Sequence, residues 1–168
     1  MSDLDITTLI LSEHERFRRA FAEIDGLTDV AELGRRWREL ADQLEVHASN
    51  EEQVFYPELL QEVDESVDDT KHAIKDHNKI RDTTGAVDQH EVGSDRWWEA
   101  FRAARDETVE HLEEEEHDVL PPFQEQVDED KRRDLGLRWL AFRDEHDRAK
   151  GLSGEEVDPH EYVEENAS

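Results

Sequence analysis

The chain has 168 residues, and its 47 Asp and Glu against 20 Lys and Arg give a formal net charge of -27. This charge argues against nucleic-acid binding and against adhesion to an anionic membrane, because both surfaces would repel the protein. The sequence has no cysteine, which excludes disulfides, zinc fingers and iron–sulfur clusters. The 15 Arg against 5 Lys, together with abundant Asp, fit the acidic surface of a halophilic protein.

The first residues, Met1–Asp5, lack the basic and apolar pattern of a signal peptide. No stretch of the sequence reaches the ~20 apolar residues of a membrane span. We therefore expect a cytoplasmic protein. The length predicts one domain with a substantial core.

Apolar residues at three-four spacing predict four long helices. In chain order, their apolar stripes span residues 6–24, 33–55, 67–87 and 97–119. Candidate N-caps are Thr28 or Asp29 for the second helix and Ser66 or Asp68 for the third. The sequence predicts helix ends at Asp25–Gly26, near Pro57 and at Pro121–Pro122. It predicts a turn at Gly93–Asp95.

A fifth, shorter helix is predicted at about residues 128–150, where Leu135, Trp139 and Phe142 share one face. Residues 151–168 are acidic and lack periodicity, which predicts a flexible tail. Residues 1–150 would then form the domain. The predicted fold is all-α, an antiparallel up-down-up-down four-helix bundle with an additional C-terminal helix.

Polar residues interrupt the apolar stripes at positions that keep the three-four spacing and therefore face the core. These six candidate metal ligands are His14, His47, Glu51, His77, His111 and Glu115. Unpaired ionisable groups in a core would be costly, and a metal would satisfy all six together. A single core His is more often structural, but six such residues on four helices favour a metal site.

The six residues also form an internal repeat. In the first half, two His lie 33 residues apart and a Glu follows four residues later, and in the second half the His lie 34 residues apart with the same Glu spacing. A second Glu follows directly, and a proline lies ten residues after the second His of each half. Residues i and i+4 share a helix face, so each His–Glu pair can bind one metal while its carboxylate reaches a second.

The order H…HxxxE…H…HxxxE resembles the haemerythrin-like HHE cation-binding domain over about residues 8–123. The resemblance implies an antiparallel four-helix bundle around a non-haem di-iron centre. In that centre the six residues would hold two Fe ions joined by an oxo or hydroxo bridge. It also implies an open coordination position on each iron for a small diatomic or anionic ligand, such as O2, NO or peroxide.

One position departs from the oxygen-carrying haemerythrins, which have two His four residues apart on the third helix. Here the residue four before His77 is Ala73. His72 lies five residues before His77, about 140° around the helix, and is predicted to face outward. The set of four His and two Glu is closer to the sensor-like and iron–sulfur-repair members of the family.

We therefore expect a metal-ion-binding protein that binds, senses or scavenges O2, NO or peroxide. Three alternatives stay open: an iron-handling or iron–sulfur-repair protein under oxidative or nitrosative stress, a peroxidase- or catalase-like enzyme, and a structural module that carries a metal such as zinc. No nucleophile with a partnering base is evident outside the candidate ligands, so any catalysis would be redox chemistry at the metal. The sequence indicates no protein partner.

Several other residues receive weaker assignments. Glu52 and Glu116 either hydrogen-bond to ligating His or are solvated, and Tyr56 is a candidate hydrogen-bonding phenol. His146, on the fifth helix, is expected to be structural, and His117 is expected to face solvent. The tryptophans expected to fill the core are Trp37, Trp97 and Trp139.

Overall fold

The structure is a computed structural model, and it describes residues 3–167. In this range the protein is all-helical and forms a helical bundle. The α-helices are α1 Ile6–Asp25, α2 Val30–Asn50, α3 Tyr56–Glu62, α4 Val67–Val87, α5 Asp95–Glu114, α6 Leu120–Gln126, α7 Glu129–Glu145 and α8 Pro159–Asn166. Every helix among the described residues is too short or too polar to cross a bilayer.

The helix starts are set by short polar side chains, as the sequence predicts for α2. The Asp29 carboxylate accepts a hydrogen bond from the backbone N–H of Glu32, and this satisfies a donor that the first turn leaves unpaired. Asp5, Ser94 and Asp128 cap α1, α5 and α7 in the same way. These four helices therefore begin where local chemistry places them, whereas α4 starts after Ser66 without a side-chain hydrogen bond to its first turn.

α2 and α5 each continue into a five-residue π-helical turn, Glu51–Phe55 and Glu115–Val119. In both turns the N–H of the following residue donates to the C=O of the first residue, which gives the wider i+5 hydrogen bond. Pro57 and Pro121 come next and cannot donate to an α-helical ladder. The wider turn accommodates this lost donor, and π turns of this kind are frequent at functional sites.

The expectation that Pro121–Pro122 ends the fourth helical stretch is wrong, because the chain remains helical through α6. The second stretch likewise runs past Pro57 through α3. In both cases the proline occupies the first turn of the continuing helix, where a missing N–H costs little.

The core consists of two apolar clusters. Residues such as Ile10, Phe55 and Phe123 belong to one cluster, and residues such as Phe17 and Trp37 belong to the other. On α1 the chain passes from Ile10 in the first cluster to Phe17 in the second, with His14 between them. The interruption in the apolar stripe thus marks a buried polar layer between the two clusters.

α7 packs against α1 and α2, as a fifth helix should if it covers one side of the bundle. Gly136 makes this close approach possible, because a Cβ at that position would lie 1.6 Å from the backbone oxygen of Leu4. The helix was predicted to end near residue 150, but in the structure it ends at Glu145. After Glu145 a 3₁₀ turn, Asp147–Ala149, replaces the α-helix.

Residues 151–168 were predicted to form a flexible tail. In the structure, residues 159–166 form α8, which packs against α3 and α4. Tyr162 and Val163 are buried, and the Tyr162 hydroxyl donates to the backbone oxygen of Glu52. Two adjacent apolar residues produce no three-four stripe, which is why periodicity missed this helix. An Asp158 cap and Pro159 in the first turn were the local signals for it.

Candidate metal centre

The structure brings all six predicted ligand residues into the polar layer between the apolar clusters. Each of these side chains is at most 4% exposed. α1 and α4 each supply one His, α2 and α5 each supply one His, and the two glutamates are the first residues of the two π turns. Each Glu follows its His by four residues, so the two side chains share a face.

One group of possible ligands consists of His14, His47, Glu51 and Glu115, whose ligand atoms lie within 4.8 Å of one another. His47 Nε2 is 3.2 Å from Glu51 Oε1. His14 Nε2 is 3.3 Å from Glu115 Oε1. We call this group the first half of the centre.

A second group consists of His77 and His111 together with the same Glu51. His77 Nε2 is 3.2 Å from Glu51 Oε1, and His111 Nε2 is 4.0 Å from that oxygen. His111 Nε2 also lies 3.8 Å from Glu115 Oε2. We call this group the second half. Glu51 therefore belongs to both halves.

The other nitrogen of each ring, Nδ1, faces a carboxylate outside the six residues. Because an ionised carboxylate can only accept, each Nδ1–H is the donor. The pairs are His14–Glu116 at 3.1 Å, His47–Glu13 at 3.1 Å, His77–Glu52 at 2.9 Å and His111–Asp76 at 3.3 Å. This fixes the tautomer and leaves Nε2 of every ring free to point into the layer, as metal-binding His requires.

Further side chains hold these outer carboxylates in place. Arg81 donates to both oxygens of Glu52, at 2.9 and 3.2 Å, and Arg18 donates to Glu116 at 2.6 Å. The two arginines follow the α4 and α1 His by four residues, so the internal repeat extends to them. The indole N–H of Trp139 donates to Glu13 at 2.5 Å. Its role is therefore larger than the predicted core filling.

Tyr56 is the one phenol among the described residues that reaches the polar layer. Its hydroxyl donates to Glu115 Oε2 at 2.7 Å and lies 3.3 Å from His77 Nε2. Burial and the negative charges of Glu115 and Glu51 raise the pKa of Tyr56 well above its usual value. The corresponding residue of the other half is Leu120, so the hydroxyl makes the two halves chemically different.

The buried carboxylates strongly affect the titration of the rings. Burial alone would lower the pKa of His111, but the hydrogen bond with Asp76 and the nearby negative charges of Glu115 and Glu51 raise it to about 10. Burial opposes protonation of His47 and His77 as well, yet Glu51 contributes to raising both pKa values. These three rings therefore hold protons tightly, and a metal that binds them must displace those protons.

The chemistry of the donor set fits a metal ion. Several buried atoms of the set make no hydrogen bond of acceptable geometry within residues 3–167: Nε2 of His14, His47 and His111, Oε2 of Glu51 and Oε1 of Glu115. This includes His14 Nε2 although it lies close to the Glu115 carboxylate. Unsatisfied buried polar atoms are rare and require an explanation. Imidazole and carboxylate together suit divalent iron, zinc or manganese.

The remaining assignments are resolved by their surroundings. Glu52 and Glu116 do hydrogen-bond to the rings, and the three predicted core tryptophans are at most 3% exposed. His72 and His117 are exposed, as predicted. His146 ends α7, packs against Phe142 and hydrogen-bonds to the backbone oxygen of Lys150, which is a structural role.

Sequence reasoning missed Glu13 and Asp76, which hold the α2 and α5 rings. A signal was present, because each lies directly before a candidate ligand, His14 or His77, at equivalent positions of the repeat. Three-four spacing cannot reveal that these two residues face the core, since a residue adjacent to a core residue is about 100° away around the helix.

Comparison with known families gives one match. The sequence model of the Hemerythrin HHE cation binding domain matches residues 5–123, which is more than half of the chain and contains all six polar-layer residues. Comparisons with curated proteins and with solved structures give no match. Together with the buried His and Glu clusters, the family match shows a metal-binding protein. The chain belongs to the hemerythrin HHE cation binding domain family.

Proposed function

We propose that the two halves hold two iron ions and that the centre binds O2, NO or peroxide. The ligands in this proposal are the six polar-layer residues, arranged in an antiparallel four-helix bundle. One observation carries it: Glu51 Oε1 lies 3.2 Å from His47 Nε2 and 3.2 Å from His77 Nε2. A single carboxylate that faces both halves at equal distance is what a bridging ligand requires.

The number of ligands favours a centre with room for another molecule. Each metal would receive two imidazoles and an oxygen from each of the two glutamates, and an oxo or hydroxo bridge would add one more ligand. Iron in such surroundings prefers six ligands, so each ion retains an open position. A bound metal would supply electron transfer and binding of the small ligand, and the protein would supply the groups that surround that position.

The chain's own groups would orient and shield the bound ligand. Phe17 packs edge-on to His47, with ring centroids 5.0 Å apart, and it closes the first half with an apolar surface. Apolar walls of this kind slow the release of charged products and favour small neutral ligands such as O2 and NO. In the second half, the Tyr56 hydroxyl could donate a hydrogen bond to a ligand if it left Glu115.

Spectroscopy of the iron-loaded protein tests this function. Azide added to the diferric protein should produce a new charge-transfer band, and NO added to the diferrous protein should change its spectrum. His14→Ala and His77→Ala should each abolish or shift these responses, because each removes one ligand of one half.

A null result has a clear meaning. If the loaded protein contains two irons and its spectrum does not respond to azide, NO or O2, the proposal that the centre binds small ligands is wrong. An iron-handling or structural role would then explain the centre better, and an iron-release assay would separate those two.

A further inference from the structure

A narrow cleft runs between α4 and α5 from the surface to the second half of the centre. Its volume is about 30 Å³, enough for one water or ion. The outer side is formed by His72, Asp76 and Glu114, and the inner side includes His111 and Glu115. The cleft therefore connects a surface group of possible ligands with the candidate centre.

The outer three side chains are arranged as cation ligands. His72 Nε2 lies 2.7 Å from Glu114 Oε2 and 3.5 Å from Asp76 Oδ2, and one ligand atom from each residue lies within 4.8 Å of the others. Their side-chain exposures are 56% for His72, 38% for Glu114 and 11% for Asp76. Exposure decreases toward the interior, so an ion from solvent would meet His72 and Glu114 first.

Two more carboxylates line the cleft, Asp69 and Asp118. Burial and the negative charge of Asp118 raise the pKa of Asp69, which shows that the two groups repel each other. Two positive groups face Asp76: the protonated His111 ring at 3.3 Å on the inner side and Lys79 Nζ at 3.9 Å on the outer side. A divalent cation in the cleft would relieve this repulsion.

The internal repeat provides an independent observation. Adding 63 to a position on α1 gives its equivalent on α4, and adding 64 relates α2 to α5. The residues equivalent to Asp69, His72, Glu114 and Asp118 are Ile6, Leu9, Asn50 and Val54. That equivalent groove lies under α7, where the Asn50 amide donates to the backbone oxygen of Trp139 and where Glu13, the equivalent of Asp76, accepts from the Trp139 indole. The imidazole of His72 and the carboxylates of Asp69, Glu114 and Asp118 are therefore present in the uncovered groove and absent from the covered one.

The inner side of the cleft shows where an ion would go. His111 is 4% exposed and Glu115 is 1% exposed, and His111 Nε2 and Glu115 Oε1 have no hydrogen-bond partner within the described chain. These unsatisfied buried atoms belong to residues that also line the cleft. The outer and inner groups meet at Asp76, whose Oδ2 lies 3.3 Å from His111 Nδ1.

We propose that His72, Asp76 and Glu114 form a capture site for a divalent cation and that the ion passes through the cleft into the second half of the centre. This inference rests on the proposed dinuclear function and names the route by which the centre is filled. One imidazole and two carboxylates, partly exposed to water, bind a divalent ion more weakly than the buried ligands do. Weak binding is suited to transfer, because the ion must leave again.

Manganese binding tests the capture site directly. Protein whose centre has been filled with Zn²⁺ is titrated with Mn²⁺, and free Mn²⁺ is followed by electron paramagnetic resonance. The double variant H72A/E114Q should lose one bound Mn²⁺ that the wild type retains. The control E113Q/H117A makes the same chemical changes on residues that do not line the cleft, and it should bind as the wild type does. Equal Mn²⁺ binding by the two variants would overturn the capture site.

Loading kinetics test the route. Co²⁺ uptake by the metal-free protein, followed by its visible absorption, should be roughly tenfold slower in H72A/E114Q because a focusing negative cleft has been weakened. The control variant should load at the wild-type rate, and every form should end with two ions in the centre. An unchanged rate with two ions bound would overturn the route alone. A wild type that takes up fewer than two ions would overturn the proposed dinuclear function, and the capture proposal with it.

Discussion

The two halves of the centre arise from repeated sequence, yet they are covered differently. His47 lies under α7, where Trp139 packs against its ring at 5.4 Å and holds Glu13. Its equivalent His111 lies beside the open acidic cleft and is held by Asp76. A repeat that would produce two equal sites has become one half packed against α7 and one half beside an acidic cleft. The residues that differ lie around the ligands, while the ligands themselves are the same.

The comparison has a physical consequence. α7 holds the first half through Trp139, whose indole bonds to Glu13. The second half borders the acidic cleft, and there a phenol, Tyr56, takes the place of the apolar Leu120. The halves thus share Glu51 while their surroundings differ. The following changes would break or sharpen this difference.

The largest effect is expected from Glu51→Gln, because this residue faces both halves. The change removes the shared negative charge and leaves imidazoles without their buried counter-charge. We expect metal content, measured by elemental analysis, to fall from two ions per chain to well below one. Glu113→Gln, an exposed carboxylate nearby, should leave two ions bound. Retention of both ions by Glu51→Gln would mean that this residue does not bridge.

His77→Ala should reduce metal content sharply by removing a ligand of the second half. His72→Ala should leave the final content nearly unchanged, since this side chain is exposed and belongs to the cleft. Elemental analysis after long equilibration measures both, and it separates a ligand from a residue that affects only the rate. Equal losses in the two variants would show that the phase of α4 is misread.

Gly136→Ala should displace α7 and so expose the first half. A Cβ would meet the backbone oxygen of Leu4 at 1.6 Å, and overpacking of this kind costs roughly 1–3 kcal/mol or more. A lower melting temperature and faster exchange of the metal should follow. Gly85→Ala is the matched control on α4: no neighbour lies within 4 Å, and Ala is preferred in a helix by about 1 kcal/mol. A Gly136 variant as stable as the Gly85 variant would contradict the close packing of α7.

The metal-free protein should lose stability at alkaline pH, because His111 of the second half loses its proton there. The pKa of His111 is raised to about 10 in the folded chain, against ~6.5 when unfolded. The stabilisation by its protonated form is therefore fully present below the unfolded pKa and is lost as pH rises through about 10. Urea unfolding from neutral to alkaline pH should show this loss in the wild type and a smaller one in His111→Asn. Identical pH profiles would contradict it.

The smallest change is expected from salt. A net charge of -27 repels itself in the folded chain, and screening reduces that repulsion. The melting temperature should rise from low salt to molar KCl in thermal unfolding followed by circular dichroism. A flat or falling melting temperature would contradict a halophilic adaptation of the surface.

The positions of the polar-layer residues were predictable because a helix repeats in space as its sequence repeats in polarity. His14 and Glu115 each interrupt an apolar stripe in phase, and the structure buries both. The internal repeat also predicted that two similar halves would meet. Spacing alone therefore located the polar layer.

Three features were not predictable from spacing. The π turns at Glu51 and Glu115 shift the phase of the helix within a single turn, which a 3.6-residue pattern cannot show. The carboxylates Glu13 and Asp76 bond across to neighbouring helices, so their partners depend on packing. Which of the two equivalent grooves is covered depends on where α7 packs, and the periodicity of its sequence does not predict this.

Mössbauer spectroscopy of the protein loaded with ⁵⁷Fe tests most directly whether one bridged centre joins the two halves. Two ferric ions that share Glu51 and a solvent-derived bridge should couple antiferromagnetically, and the diferric protein should then have a diamagnetic ground state in an applied field. We predict two irons per chain with this behaviour. Irons that show separate magnetic hyperfine splitting, or a chain that retains a single iron, would contradict the account.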